Sequence, residues 1–428
     1  MKRTIIFLCS LFCAAMVAAQ PAADSLLGHY RQMALDYNDD LKAAAKNIEA
    51  SIELERAARA DRIPTLSAGA DFQYTGNPLE LTADLPGAGA VTFRGQDLKY
   101  GVSATLLQPV YTGGRIVEAI RLAESQQMIA ESQQELLRSS VCFQVDVQYW
   151  TTVARREMVG VATDFRNSVG ELVRIVRERV EAGLTDRQEL LTAEVKLNEA
   201  EYRLLQARSD FETGLMALNS LIGVPLEVQT LVGNEVAQVG DVPVTQDTSL
   251  RPEIKIAQER MEMERSYLRL NDAQYKPQLY VGANGGYFAP GYDFRPDLSP
   301  NYSVYAQVAV PIFHGGKRRK EKRAAQYRAD MLGDDLHKVE KAVELEARTA
   351  QVALAQAGQR VTLASASLSK AQENERRATE KYAEGAISIA EVIDAQVYRQ
   401  TAQTNHVTAK AAAQLHYAEL LKAVNGYE

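Results

Sequence analysis

Two spacings of apolar residues divide this 428-residue chain. In one kind of segment apolar and polar positions alternate. Over residues 64–76, Leu66, Ala68, Ala70, Phe72 and Tyr74 alternate with Thr65, Ser67, Gly69, Asp71 and Gln73. Over 98–110, Leu98, Tyr100, Val102, Ala104 and Leu106 alternate with Lys99, Gly101, Ser103 and Thr105. The pattern returns at 277–289, where Leu279, Val281, Ala283 and Tyr287 oppose Gln278, Gly282 and Asn284. It returns again at 301–312, where Tyr302, Val304, Ala306 and Val308 oppose Ser303 and Gln307. A period of two predicts four strands. Each is about ten residues long, the length a tilted strand needs to cross a bilayer.

The rest of the chain reads as helix. Residues 25–62 and 251–275 are rich in helix formers and stop just short of a proline. From Arg115 to Ala182 and from Lys317 to Glu384 only isolated glycines interrupt the pattern. No proline falls between 110 and 224 or between 312 and 428, although the chain has 13. Proline breaks helix interiors, so this spacing predicts helices on the order of 100 Å long at about 1.5 Å per residue. Gly183 and Gly385 then supply turns, and helices return to about Ile222 and Val424. Along the first return helix Leu190, Ala193, Leu197, Ala200, Leu204, Ala207, Phe211, Gly214, Leu218 and Leu221 follow alternating steps of three and four. That is the seam of a coiled coil. The seam after Gly385 is poorer, with Arg399, His406 and His416 at equivalent places.

The chain is a duplication. LLQPVYTGGRI at 106–116 matches VAVPIFHGGKR at 308–318, pairing Pro109 with Pro311, Gly113 with Gly315 and Gly114 with Gly316 at a spacing of 202 residues. The same spacing pairs Gly183 with Gly385. Pro64 and Pro277 stand 213 apart, so the loop between the strands of each pair differs in length. The organisation expected is a signal peptide over 1–19, a first repeat over 20–223, a connecting segment over 224–250 and a second repeat over 251–428.

Lys2 and Arg3 precede an apolar run that closes on Ala18 and Ala19, the pattern of a secretory signal cleaved before Gln20. Phe12 stands where a lipidated Cys13 would need a small residue. No later run of 18 apolar residues follows, which excludes a transmembrane helix and leaves a soluble exported protein or a β-barrel. A soluble antiparallel sheet would show the same alternation. Three features favour a lipid-facing wall: a polar face whose residues are mostly small or uncharged, Tyr74, Tyr100, Tyr287 and Tyr302 near strand ends, and a long loop over 77–97 opposite tightly connected helices. Four strands cannot close a barrel, so closure demands further copies; two give eight strands and three give twelve.

Composition removes other classes. Hydrophobic residues make up 46% and charged residues 24%, too apolar for a disordered chain. The net charge of −7 argues against nucleic acid as a partner. Of three cysteines only Cys142 lies beyond the signal, so neither a disulfide framework nor a thiolate metal cluster can form. His29, His314, His337, His406 and His416 have no metal-ligand spacing, HGGK lacks the pattern of a phosphate loop, and no nucleophile elbow or histidine triad occurs. No cofactor is expected, and no enzyme. Cys142 and Trp150 read as packing residues. The run KRRKEKR, Lys317 to Arg323, reads either as a solvated helix start or as a contact with anionic headgroups or an upper periplasmic collar.

The duplicated joins QPVYTGGR and VPIFHGGKR, with the turns RVEAGLTDRQELLTAEV and KYAEGAISIAEVIDAQ, resemble the TolC-like outer-membrane efflux protein family over essentially the whole exported chain. That resemblance implies a mainly α fold with a transmembrane β-barrel. It implies a homotrimer whose four strands per chain close twelve strands in the outer membrane, continued by a long antiparallel coiled-coil α-barrel across the periplasm. The expected partners are outer-membrane lipid, a periplasmic adaptor and an inner-membrane pump, and the expected role is the exit duct of a tripartite efflux or secretion system. The rivals are a periplasmic coiled-coil adaptor or scaffold and a duct dedicated to protein secretion. The resemblance places the gate at the hairpin turns, on Tyr382, Glu391 and Asp394, with Glu189 from the first repeat. Glu391 and Asp394 are three apart and share a helix face, so three chains would gather six carboxylates around one aperture. Where members with a salt-bridged gate carry arginine, this chain has Ile387; Arg187 is the nearest candidate replacement.

Overall fold

The computed structural model describes residues 23–87, 89–239, 248–291 and 297–427, so the expected signal peptide lies outside the described residues. In chain order the elements are α1 (Ala23–Tyr37), α2 (Asp39–Ala60), β1 (Thr65–Tyr74), β2 (Glu80–Leu85), β3 (Gly89–Arg94), β4 (Leu98–Tyr111), α3 (Arg115–Glu181), α4 (Arg187–Ile222), α5 (Pro252–Ala273), β5 (Gln278–Ala289), β6 (Ser299–Ala309), α6 (Lys317–Ala383) and α7 (Ile389–Ala423). The helix expected over 25–62 is two helices, interrupted at Asn38. Asn38, Asp39 and Asp40 supply the reason, because Asn and Asp compete with helical hydrogen bonds and acidic residues suit a new helix's first turn. The loop over 77–97 holds the hairpin β2–β3, a small sheet of its own.

Contacts divide the chain into two compact units, and each draws on both repeats. One comprises Asp40–Leu137 and Thr248–Glu344; the other comprises Met1–Asp39, Arg138–Asp247 and Leu345–Glu428.

The first unit carries a four-stranded antiparallel sheet in the order β1-β4-β5-β6. The pairing of β4 with β5 joins the two repeats. Its register slips between Pro109 and Tyr111, at a residue with no N–H to give the ladder. Every residue of β1 is exposed, and Phe72 and Val304 are each 74% exposed. A soluble sheet would cover such a face. The opposite face is less polar than the alternation suggests, since Phe288 and Tyr305 stand on it. Each pairs with a glycine, Gly101 and Gly282 respectively, where a Cβ would collide with the ring. All four helix connections leave one edge of this sheet, because the strands alternate in direction and helices precede β1 and β5 and follow β4 and β6.

In the second unit the heptad pattern on α4 meets its core: all its seam residues from Leu190 to Leu221 are buried or half-buried. On α3, Val145, Tyr149, Val153, Phe165, Val169, Leu172 and Val176 are buried at helical spacing, with Cys142 and Trp150 beside them. The weaker seam of α7 is filled by polar partners. Arg399 lies 2.6 Å from Glu375 and donates to the Ser168 hydroxyl at 2.8 Å, while His416 Nδ1 lies 2.8 Å from Glu419. His406 has no partner for its buried Nδ1 among the described residues, and burial together with Lys410 lowers its pKa.

Irregular chain over 224–236, just after α4, is strapped to this unit. Asn219 donates to the carbonyls of Leu226 at 3.0 Å and Val228 at 2.8 Å, and Arg156 to that of Val232 at 2.7 Å. Glu157 accepts the Val236 N–H at 2.8 Å on one oxygen and Lys410 at 2.6 Å on the other. Deeper still, Asp146 is 2% exposed. It accepts from Arg31 at 2.7 and 2.6 Å and from the Tyr427 hydroxyl at 2.7 Å. Burial and the adjacent carboxylate push the Tyr427 pKa up, which keeps it a donor.

Removing one partner from this knot leaves a buried group unsatisfied. Asp146→Ala is expected to lower stability by about 3 kcal/mol and Tyr427→Phe by about 1 kcal/mol, read as the order of denaturant midpoints followed by circular dichroism in detergent. Equal midpoints for wild type and Asp146→Ala would refute the role given to the knot.

Candidate gate at the two helix turns

Both long helices end in the same way. Gly183 and Gly385 have φ of +69° and +77°, a left-handed conformation that glycine adopts without a Cβ penalty. Around the first, Gly183 N–H donates to Val180 O and Leu184 N–H to Arg179 O at 2.8 Å; around the second, Gly385 donates to Tyr382 O and Ala386 to Lys381 O at 2.8 Å. These paired bonds satisfy carbonyls that the helix end would leave open. The return helices then start on Asp186 and Ser388, also 202 residues apart.

Glu189 and Glu391 therefore occupy one structural position, the third residue of a return helix, and the two repeats use it differently. Glu391 turns back on its own helix end: it accepts from the Ser388 N–H at 3.2 Å and the Ser388 hydroxyl at 3.0 Å, closing a capping box. Glu189 instead reaches the other hairpin. Its Oε2 accepts the Tyr382 hydroxyl at 2.9 Å and the Thr185 hydroxyl at 2.6 Å. Tyr382 is 2% exposed and sits in an apolar cluster with Leu172, Val173, Val176, Ala193, Ile389 and Val392. Burial, then the bond to Glu189, pushes its hydroxyl pKa up to about 12.

Asp394 follows one turn after Glu391 and is exposed, with no hydrogen bond or ion pair among the described residues. Of the expected gate residues, the fold thus brings Tyr382 and Glu189 together, ties Glu391 into a cap and leaves Asp394 free. Ile387 packs against the apolar cluster, where a charged side chain would be desolvated. Arg187 is exposed and pairs with nothing among the described residues.

The cation that does span the hairpins is Arg179. It donates to the carbonyls of Tyr382 at 3.2 Å and Ala383 at 3.1 Å, and its guanidinium lies 5.2 Å from the centre of the Tyr382 ring. Those carbonyls belong to the last turn of α6, the negative end of its dipole. A Cβ on Gly385 would come within 3.4 Å of Arg179, so the turn lets the arginine approach. Sequence reasoning missed it. The available signal was an arginine four residues before the turn glycine of one repeat, which reads equally well as a solvated helix end.

The joins between strand and helix are built on glycine pairs. Gly113, Gly114, Gly315 and Gly316 all have positive φ, from +58° to +95°. Pro109 precedes the first pair at the register slip of β4 and Pro311 precedes the second just beyond β6. Gly113 alone among these four is also pressed against backbone, at Ala273.

A family model described as outer membrane efflux protein matches residues 30–224 and 246–426. The chain is 24% identical over 314 residues to a solvent efflux pump outer membrane protein, SrpC, of Pseudomonas putida, which covers 72% of this chain. It is 23% identical to the alkaline protease secretion protein AprF of Pseudomonas aeruginosa over 71% of this chain. The matched region spans only 65% and 64% of those relatives' own lengths. The fold of this chain is similar to that in a structure of the Neisseria gonorrhoeae MtrE outer membrane channel solved in its open state, with a TM-score of 0.77 at 18% identity over 93% of this chain and 88% of that one.

The Tyr382 bond gives a pH signature. A raised pKa means the hydroxyl's contribution is whole below its ordinary value near 10 and is lost as pH rises through about 12. The difference between ultraviolet titrations of wild type and Tyr382→Phe is expected to isolate one tyrosinate step near pH 12; a step near 10 would show that the hydroxyl is neither buried nor held by Glu189.

Proposed function

We propose, from the premise that this chain belongs to the outer membrane efflux protein family, that it is the outer-membrane exit duct of a tripartite efflux or secretion system. It is a passive, trimeric channel, gated at its periplasmic end and coupled through an adaptor to an inner-membrane pump that supplies the energy.

The observation that carries this reading is the open sheet. Strands β1 and β6 are its edges, each paired along one side only among the described residues, and apolar side chains stand exposed on its face. In hydrocarbon every unpaired backbone group costs several kcal/mol, so such a sheet enters a membrane only when other copies complete it. Three copies make a twelve-stranded barrel. No described helix is long and apolar enough to cross a membrane.

The turns supply a closing device. Tyr382 and Arg179 clasp the two hairpins of one chain, and opening requires the bonds to Glu189 and to the end of α6 to break together. Asp394, the free carboxylate, is repeated three times in a trimer. Gathered at an aperture, such charges repel one another and attract cations. The relatives' names divide between solvent efflux and protease secretion, and the tests of duct and gate hold for either cargo.

Protein extracted from the outer-membrane fraction is expected to require detergent and to show the mass of three chains by light scattering corrected for bound detergent. Water-soluble monomers would return the chain to a periplasmic adaptor or scaffold. In planar bilayers, Asp394→Ala is expected to weaken block by divalent cations several-fold, and Glu391→Ala to act mainly on stability through the lost cap, by about 1 kcal/mol. Block unchanged in the double variant would remove both carboxylates from the aperture.

A further inference from the structure

The two repeats part company where strand passes into long helix. At the start of α3 an acid stands among the cations: Glu118, in the first turn and buried, meets Arg121 and Arg269 at 2.7 Å each. The start of α6, Lys317–Arg323, reads KRRKEKR and has no acidic residue in its first turn. Cations there oppose the positive end of the helix dipole as well as one another.

Nearby acids are already engaged. Asp272 takes Arg318 at 2.6 and 2.9 Å and lies 3.7 Å from Lys276. Glu321 accepts the Tyr275 hydroxyl at 2.7 Å and lies 3.5 Å from Lys317. Arg319, Lys320, Lys322 and Arg323 are exposed and have no ion pair among the described residues. Just before them, Ile312 and Phe313 are 94% and 85% exposed, and β6 presents Val304 and Val308 beyond. Apolar residues that give way within a few positions to unpaired cations match the boundary between acyl chains and headgroups.

We infer that the segment Ile312–Arg323 is a docking surface for anionic phospholipid at the periplasmic face of the outer membrane. Ile312 and Phe313 lie among the upper acyl carbons, and Arg319, Lys320, Lys322 and Arg323 meet headgroup phosphates. The inference rests on the duct reading, which puts the helix-bearing edge of the sheet at that face. Charge complementarity selects the occupant, since four cations within five positions have no ion pair among the described residues. The anion also neutralises the helix end that the sequence leaves without an acid. The first repeat, with Glu118 in place, carries no such surface.

The test is native mass spectrometry of the detergent-extracted protein with equimolar phosphatidylglycerol and phosphatidylcholine. Wild type is expected to retain phosphatidylglycerol in about tenfold excess. The quadruple variant Arg319→Gln, Lys320→Gln, Lys322→Gln, Arg323→Gln is expected to retain the two lipids about equally. A control with the same charge change further along α6, Arg328→Gln, Lys338→Gln, Lys341→Gln, Arg348→Gln, is expected to keep the wild-type excess. Should the quadruple variant fail to assemble, the double variants Arg319→Gln, Lys320→Gln and Lys322→Gln, Arg323→Gln each should lose part of the excess. A detergent-extracted trimer without lipid preference would overturn the inference and leave the duct reading intact. Loss of the trimer with the preference retained would overturn it too, assigning these cations to a neighbouring copy. A water-soluble wild type would instead overturn the duct reading beneath it.

Discussion

An unpaired strand edge cannot be left in hydrocarbon, and in this chain that constraint governs more than the sheet. Four strands in the order β1-β4-β5-β6 leave two open edges, and no rearrangement within one chain closes so few strands into a barrel around a filled or open interior. The duplication is a partial answer: β4–β5 pairing fuses two hairpins into one continuous sheet and halves the number of edges. In the proposed duct, what remains open is met by identical copies. Symmetry then reaches every other part of the chain, since any side chain near the common axis is repeated as often as the strands are.

The duplication also shows how one ancestral position acquires two uses. Glu189 and Glu391 arise from the same place in the repeat, with the same backbone and the same distance from a turn glycine. A serine at the second helix start lets Glu391 complete a capping box. In the first repeat Asp186 stands there and makes no side-chain cap bond, which leaves Glu189 for Tyr382. A difference of one hydroxyl against one carboxylate thus separates a local helix cap from a bond between hairpins. The half-buried arginine beside this bond marks another difference between the repeats: Arg179 matches Lys381, and one nitrogen of its guanidinium serves both carbonyls while the planar group lies over the Tyr382 ring.

Much of the fold was legible because its determinants are periodic. Alternation located β1, β4, β5 and β6 to within a few residues, and the three-four seam named the buried face of α4 residue by residue. Two features were still missed. The break at Asn38 is marked only by three polar residues inside a helical pattern, and β2–β3 hides in a segment whose length and glycines read as loop. At the candidate gate the two turns were legible and the contacts between them less so. Glycine spacing fixed both turns and therefore Glu189, Tyr382 and Glu391, but Arg179 acts across more than 200 residues of sequence through backbone oxygens, which leave no residue-specific trace. The weak seam of α7 was read from Arg399, His406 and His416 alone; its remedy lay in Glu375 and Ser168 on other helices, beyond the reach of any one-helix pattern.

Both long helices, α3 and α6, contain 67 residues, although the loops between the strands of each pair have diverged in length. A residue inserted into either helix would turn everything after it by about 100° and advance it by about 1.5 Å, carrying the buried stripe out of its seam and the turn away from its partner. Loop lengths can drift one residue at a time; these helices cannot. Their length is inherited as a matched pair, changeable only in steps near whole heptads taken by both repeats at once. In such a lineage the span of the helices is a quantised trait, and two relatives of different reach should differ by the same multiple of about seven residues in each half.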